Sequence, residues 1–312
     1  MKFIITVALI LLIFSGCGRK LNPTLEDYIQ PEPVEKISLS VFHDKITVSW
    51  SYPEKMKKKV KSFLVEKENN GQIKSLGFFD VMSSSCEDRD FKFGQIYKYR
   101  IYAINIKGIY SKPAQATVKP EKLPEVEDLQ YKITDSGIFL SWKAEDSLMY
   151  NIYQINQKGE KVKRGSTGNN IFLDELTSSA FDPEPPEFLI YLVSSYISDN
   201  YAYIESKGTE INIPVNSFIP SRPEHVFWAV NENGVSISWR EVPERWIKGY
   251  RVYRKTFHDQ DFIKIGETMI PSFFDADYNI NNLKMPVYYR IFSAGPVKES
   301  EPVEIKVEVT DG

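Results

Sequence analysis

Three tryptophans along the chain close the same alternating pattern of apolar and polar residues. They end the segments Ile46–Trp50, Ile138–Trp142 and Val235–Trp239, in which apolar residues recur at every second position. Such alternation is typical of a strand with one buried face. The tryptophans are 92 and 97 residues apart, a period well above the roughly 20–50 residues of solenoid repeats. The pattern therefore predicts three tandem β modules, each with its own core.

Strands with the same alternation flank each tryptophan. A strand introduced by proline comes before it, and in the third module this strand places Trp228 on the packed face beside Val226 and Val230. A second strand, rich in aromatic residues, comes late in each module, and its alternate residues face inward. The predicted inward residues of this late strand are Tyr97, Tyr99, Ile101 and Ala103 in the first module, Phe188, Ile190, Leu192 and Ser194 in the second, and Val287, Tyr289, Ile291 and Ser293 in the third.

The aromatic strand Tyr97–Ala103, followed by Asn105, Gly108 and Ser111, resembles the matching region of fibronectin type III domains. The third module resembles the family through Gly249–Arg254, and the second is the most divergent copy. The resemblance implies an all-β chain of three tandem immunoglobulin-like sandwiches, each with two antiparallel sheets of seven short strands in all. It places the domains at residues 31–120, 121–216 and 217–312.

The connectors between the modules are short and contain prolines. They lie near Pro120 and Asn216, in segments 119–124 and 216–223. Connectors of this composition are stiffer than linkers rich in Gly and Ser. We therefore expect three independently cored modules on short stiff joints, an extended arrangement that suits a spacer.

The first sixteen residues have the features of an export signal. Met1 and Lys2 form a basic head, and the apolar run from Phe3 to Phe14 is shorter than the ~20 residues of a spanning helix. The segment ending at Cys17 resembles the lipobox of bacterial lipoproteins. This resemblance implies a signal peptide at 1–16, acyl chains of the palmitate type on Cys17, and a lipidated tether at 17–30. An uncleaved signal anchor is the alternative.

Acylation of Cys17 has consequences for location and for cysteine chemistry. Gly18 in the next position resembles the sorting signal of outer-membrane lipoproteins, which implies the periplasmic or the surface face of the outer membrane. Cys86 is then the only remaining thiol, so an intramolecular disulfide is excluded. Two interpretations of Cys86 stay open: a reactive or intermolecular thiol, or a small half-buried residue at a strand edge.

Composition and charge exclude several functional classes. The chain has 39 Lys and Arg against 42 Asp and Glu, a net charge of −3, which lacks the basic excess of a nucleic-acid-binding protein. The three histidines are isolated and do not have the spacing of a zinc site. The paired aspartates in Asp88–Asp90 and Asp275–Asp277 could bind calcium, but they fit turns better. We expect no bound metal and no cofactor.

The sequence contains no phosphate-binding loop, nucleophile elbow or other catalytic motif, so we expect no enzymatic activity. Two features could contact a ligand. The charge run with Lys57, Lys58 and Lys59, in the loop after Trp50, could meet an anionic lipid or another polyanion. Trp246 precedes Gly249 in a loop and could offer an exposed ring to a sugar.

These features together favour a membrane-anchored lipoprotein that acts as a spacer or protein-interaction scaffold of the cell envelope. The expected partners are the lipid bilayer, reached through acylated Cys17, and another envelope protein, and nucleic acid is not among them. The alternative function is that of an accessory module that binds cell-envelope polysaccharide.

Overall fold

A computed structural model of the chain describes residues 28–200, 202–279 and 285–308. The signal peptide at 1–16 and the acylation of Cys17 lie outside the described residues and stay predictions. The described chain divides into two compact units. The first contains residues 28–121 with residues 199–200 and 202–203, and the second contains the other residues. Within these ranges, no helix has the length and apolar character needed to cross a bilayer.

The first unit contains a sandwich of seven strands and one short helix. Its elements are β1 (Lys36–Phe42), β2 (Lys45–Ser51), helix α1 (Glu54–Lys57), β3 (Val60–Asn69), β4 (Gln72–Asp80), β5 (Ser85–Asp88), β6 (Tyr97–Asn105) and β7 (Ala114–Val118). Strands β1, β2 and β5 form one antiparallel sheet in that order. The other sheet has the order β4-β3-β6-β7.

The second unit begins with a sandwich of the same topology. Its elements are β8 (Gln130–Thr134), β9 (Gly137–Ser141), β10 (Met149–Ile155), β11 (Lys161–Thr167), β12 (Ile171–Glu175), a 3-10 helix (Ser178–Phe181), β13 (Phe188–Ser198), β15 (Thr209–Pro214) and a 3-10 helix (Val215–Ser217). Between β13 and β15 lies β14 (Ala202–Glu205), whose first two residues belong to the first unit. One sheet has the order β12-β9-β8. In the other, β10 pairs with β11 and β13, and β15 pairs with β13.

The third sandwich repeats this arrangement. Its strands are β16 (Glu224–Val230), β17 (Val235–Arg240), β18 (Gly249–Lys255), β19 (Ile263–Thr268), β20 (Ser272–Asp275), β21 (Val287–Ala294) and β22 (Val303–Val307). The two sheets have the orders β16-β17-β20 and β19-β18-β21-β22. Three sandwiches with sheets of three and four antiparallel strands confirm the predicted all-β, fibronectin type III-like fold.

The three repeated tryptophans lie inside their sandwiches, as the alternation predicts. Trp50, Trp142 and Trp239 are all buried. Each packs edge-on against an aromatic ring of the next long strand, with ring centroids 5.7 Å apart for Trp50 and Phe63 and 5.1 Å apart for Trp142 and Tyr150. Edge-to-face pairs at this separation stabilise a core beyond the area that they bury.

The predicted register of β13 is wrong by one residue. Leu189, Tyr191 and Val193 belong to the core of the second sandwich, whereas Phe188, predicted to face inward, is exposed. A shift of one residue moves every side chain of a strand to the opposite face. The error arose because Leu192 and Ser194, on the outer side of β13, are also buried, so polarity does not distinguish the two faces.

Candidate functional site

Each sandwich buries one aspartate beside a tyrosine of its late aromatic strand. The hydroxyl of Tyr99 donates a hydrogen bond to Asp88 Oδ2 at 2.7 Å. The corresponding pairs are Tyr191 with Asp174 at 2.5 Å and Tyr289 with Asp275 at 2.8 Å. All three carboxylates are buried. A buried carboxylate needs a positive partner to offset its lost hydration.

A basic side chain supplies that partner in every sandwich. Lys67 Nζ lies 2.7 Å from Asp88 Oδ2, and Arg164 makes a forked contact with Asp174 at 2.9–3.0 Å. Arg254 Nη1 donates to both oxygens of Asp275 at 2.8 Å. The three aspartates are therefore held in structural ion pairs. The sequence did not predict these ion pairs, because the lysine or arginine of each pair lies on a different strand from its aspartate.

The paired aspartates considered as calcium ligands form turns. Asp88 Oδ1 accepts the backbone N–H of Asp90, and Asp275 Oδ1 accepts that of Asp277. These hydrogen bonds to the residue two positions later are those of Asx turns. Across the described part of the chain, no group of three or more His, Cys, Asp or Glu side chains is placed to hold a metal ion.

The three buried tyrosines predict a loss of stability at alkaline pH. Burial, together with the neighbouring aspartate, raises the pKa of Tyr99, Tyr191 and Tyr289 above the usual value. The unfolded chain ionises near pH 10, so their contribution is complete below about pH 10 and is lost as pH rises toward the higher folded pKa values. We expect the free energy of unfolding to fall by at most about 1.4 kcal/mol per pH unit for each tyrosine. Urea unfolding at about pH 9 and about pH 11 measures this, and the variant Tyr191→Phe should show a smaller loss.

Trp246 lies in the loop between β17 and β18 of the third sandwich, but its ring is part of the core of the second. Only 2% of the residue is exposed. Its ring meets Phe218 edge-on at 5.2 Å, and its Nε1–H donates to the backbone oxygen of Thr134 at 2.8 Å. The expectation that Trp246 offers an exposed ring to a sugar is therefore wrong. The loop is buried because a neighbouring sandwich covers it.

Residues beside Trp246 extend this shared core. The backbone N–H of Arg245 donates to Asp135 O at 2.9 Å, and Lys248 Nζ lies 2.8 Å from Asp182 Oδ1. Ile247 packs against the cores of both the second and the third sandwich. The expectation of independent cores is therefore wrong for these two sandwiches, while the boundary near Asn216 stays a prediction.

The charge run after Trp50 lies at one end of the first sandwich. Lys57 is in α1 and pairs with Glu54, whereas Lys58 and Lys59 follow the helix and are exposed. An open cavity of about 440 Å³ adjoins them, lined in part by Met56. The structure thus places Lys58 and Lys59 at the surface, as the sequence predicts, next to apolar side chains that the charge pattern did not reveal.

The outer surface of the sheet β16-β17-β20 carries exposed aromatic rings. We call the outward residues of this sheet the aromatic face. Phe227 is 69% exposed and lies opposite Ser238, and Phe274 is 50% exposed and lies opposite Ser236. Ala229 and Ser272 also face outward, opposite Ser236 and Ser238 respectively, and the exposed charged pair Glu224 and Arg240 lies at one end of the face. The aromatic face is therefore free of charged side chains between its two rings.

Trp228 is not packed inside, contrary to prediction, because it is 40% exposed. The register between β16 and β17 shifts between Glu224 and Phe227, and His225 has a positive φ of 50°. The register beyond this irregularity still places Trp228 opposite the buried Ile237, so the side chain is exposed although it lies on the inner side of the edge strand. Phe227 and Phe274 were not predicted as a surface site, although the alternating Ser236 and Ser238 mark the outer side of β17.

Cys86 lies on β5 opposite Val48 and is buried. Burial, with the nearby negative charge of Asp88, raises the pKa of its thiol to about 12. A thiol reacts through its thiolate, so the structure favours a packing role over a reactive one.

We expect Cys86 to resist labelling by a thiol reagent at neutral pH until the chain unfolds. The test uses the Cys17→Ser chain, in which Cys86 is the single thiol. A matched control carries Cys86→Ala and Ser85→Cys, because Ser85 is the exposed neighbour on the same strand. Rapid labelling of native Cys86, at a rate close to that of the control, would contradict the packing role.

The chain is similar to solved structures of β-sandwich proteins. No family model matches the chain, and no curated protein matches it. The FN1–FN3 domains of chicken CNTN1 are 15% identical, with a TM-score of 0.26, and the match covers 90% of this chain and 99% of that chain. A computationally redesigned β-sandwich protein is 18% identical, with a TM-score of 0.26, and the match covers 30% of this chain and 98% of that chain.

Proposed function

We propose that the protein is a membrane-anchored lipoprotein of the cell envelope, a non-enzymatic scaffold whose third sandwich binds another envelope protein. The anchor is acylated Cys17, and the location is the outer membrane, on its periplasmic or surface face. The observation that supports binding is the aromatic face, with Phe227 and Phe274 exposed on one sheet surface. Single exposed apolar residues are ordinary, but a group on one face marks an interaction site.

A protein partner suits the chemistry of the aromatic face. Interface centres are rich in aromatic residues and poor in charged ones, and the residues between the two rings are serine and alanine. In addition, β16 is the edge strand of its sheet. An edge strand offers backbone N–H and C=O groups to which an extended segment of a partner can pair.

Polysaccharide binding is the second candidate, and the same face supports it. Aromatic rings on a flat surface can stack on sugar rings, and the hydroxyls of Ser236, Ser238 and Ser272 can bond to sugar hydroxyls. Phenyl rings lack the polar group that tyrosine and tryptophan would add. We therefore rank this candidate below a protein partner.

Crosslinking from native membranes tests the scaffold function. The chain carrying Phe227→Ser and Phe274→Ser should lose a crosslinked partner that the unaltered chain captures. The matched control is Phe257→Ser, because Phe257 is 72% exposed in the same sandwich but lies in a loop. Equal capture by all three chains would refute the protein-binding role of the aromatic face. Retention on isolated envelope polysaccharide that only the double variant loses would select the second candidate.

The membrane anchor has its own test. Intact mass spectrometry of the chain from native membranes should show acyl chains, and Cys17→Ser should abolish them and leave an uncleaved precursor. An unaltered chain that lacks any acyl addition would refute the anchor without affecting the evidence for the aromatic face.

A further inference from the structure

We propose that one end of the first sandwich docks on an anionic phospholipid surface. We call this region the basic end and define it as residues 28–32, 54–61 and 105–110. The inference rests on the proposed function, since the acylated Cys17 supplies the nearby bilayer. It goes further because it gives the protein a second, non-covalent contact with the membrane.

Strand pairing and hydrogen bonds bring the three segments of the basic end together. β3 begins opposite the end of β6, where Val60 pairs with Asn105. The side-chain amide of Asn105 donates to the backbone oxygen of Ile29 at 3.1 Å, and that of Gln30 donates to Tyr110 O at 2.9 Å. The chain that leads to the anchor is therefore fastened to this end of the sandwich.

The basic end has exposed positive charge. Lys55, Lys58 and Lys61 are exposed, and among the described residues none of the three forms an ion pair. The neighbouring acid Glu54 is already paired with Lys57. An anionic surface attracts such lysines, each strengthening the attraction by about fivefold where it reaches the surface.

The charge of the chain is unevenly distributed, and the excess of positive charge is in the first sandwich. Residues 28–121 contain 16 Lys and Arg against 11 Asp and Glu, a net charge of +5. Residues 122–312 contain 20 against 29, a net charge of −9. An anionic membrane would repel the second group as a whole, so the attraction is confined to the first sandwich.

Exposed apolar side chains lie among these lysines. Ile29, Met56 and Ile106 are all exposed, and each of them lines the cavity described above. Surfaces that bind at the lipid interface combine apolar side chains, which enter the headgroup boundary, with lysines, which meet the phosphates. A soluble polyanion offers no apolar environment to these side chains. The combination of lysines and apolar side chains therefore favours a bilayer.

The proposed anchor is close enough to bring the basic end to the membrane. Ten residues lie between Cys17 and Tyr28, and a segment of this length can span at most about 40 Å when fully extended. The electrostatic attraction acts within a screening distance of about 8 Å at physiological salt. Attachment at Cys17 would therefore limit the distance between the basic end and the surface, and the lysines would supply the contact.

Hydrogen exchange of the membrane-bound full chain tests the docking. The chain is bound to vesicles of phosphatidylcholine alone and to vesicles of phosphatidylcholine mixed with phosphatidylglycerol. Docking predicts that the backbone amides of residues 54–61 and 105–110 exchange more slowly on the mixed vesicles. The triple variant Lys55→Gln, Lys58→Gln and Lys61→Gln should lower the docking equilibrium constant about a hundredfold and abolish this difference.

A matched triple variant controls for the loss of three charges. Lys158→Gln, Lys161→Gln and Lys163→Gln removes three exposed lysines from the second sandwich and should leave the lipid-dependent protection intact. Protection that is equal on both vesicle types, or unchanged in the first triple variant, would overturn the docking. Equal protection by soluble polyphosphate, in the absence of vesicles, would also overturn it in favour of a soluble polyanion.

The experiment separates failure of the anchor from failure of docking. Flotation with phosphatidylcholine vesicles depends on acylated Cys17 and not on anionic lipid, so its absence would refute the anchor. Flotation without lipid-dependent protection would refute the docking and leave the proposed function standing.

Discussion

Replacing Trp246 with alanine is expected to destabilise the second sandwich by about 3–5 kcal/mol, although Trp246 precedes a strand of the third. Its ring fills space beside Phe218 and hydrogen-bonds Thr134 O. Removing the ring forfeits its burial and leaves a cavity between the linker and the core. Hydrogen exchange should show the loss in β9 and β10 as well as in the third sandwich.

The chain offers a matched control for this substitution. Trp228 is also a tryptophan of the third sandwich, but it is 40% exposed, and Trp228→Ala should change the free energy of unfolding by much less. If Trp246→Ala affected only β18 and its neighbours and left the exchange of β9 and β10 unchanged, the two sandwiches would not share a core.

The second large effect is expected for Asp88→Asn in the first sandwich. The substitution keeps the shape of the side chain but leaves the ammonium group of Lys67 buried without its carboxylate. Breaking a buried ion pair in this way costs about 3–5 kcal/mol, because an uncompensated charge stays inside. Hydrogen exchange of β2 and β3 at increasing denaturant concentration measures this loss in the first sandwich.

Two further variants test whether the unpaired charge of Lys67 causes the loss of stability in Asp88→Asn. Adding Lys67→Met removes the unpaired charge and should restore much of the lost stability, since a pair replaced by apolar groups is often neutral. Asp44→Asn breaks the exposed pair with Arg89 and should leave the free energy of unfolding nearly unchanged, because water screens the pair. A double variant as unstable as Asp88→Asn alone would show that the shape or hydrogen bonds of Asp88 matter more than its charge.

The sequence predicts correctly which residues of a strand are buried where the other face of that strand is exposed to solvent. Trp50, Trp142 and Trp239 were found from alternation because the outer residues of their strands are mostly polar. Alternation failed at β13, where Leu192 and Ser194 are buried on the outer side. It also failed at Trp228, which lies opposite the buried Ile237 on the edge strand β16 but is 40% exposed.

For the candidate sites too, properties set by a residue's own polarity were predicted, whereas properties set by contacts with distant residues were not. The exposure of Lys58 and Lys59 follows from their own polarity and was predicted. The burial of Trp246 depends on Phe218 and Thr134, which come from outside its own loop. The ion pair of Asp174 with Arg164 depends on strands that meet only after folding. The sequence of the loop around Trp246 therefore does not predict that residues distant in the sequence bury its ring.

The position of Trp246 in the second core also has a consequence for the order in which the chain can fold. Chains emerge from their N-terminal end during synthesis and export, and domains tend to fold in that order. The second sandwich cannot complete its core until the loop before β18 has emerged, because Trp246 fills part of it. The second and third sandwiches should therefore mature together, and a deletion of the third would leave the second with an open core.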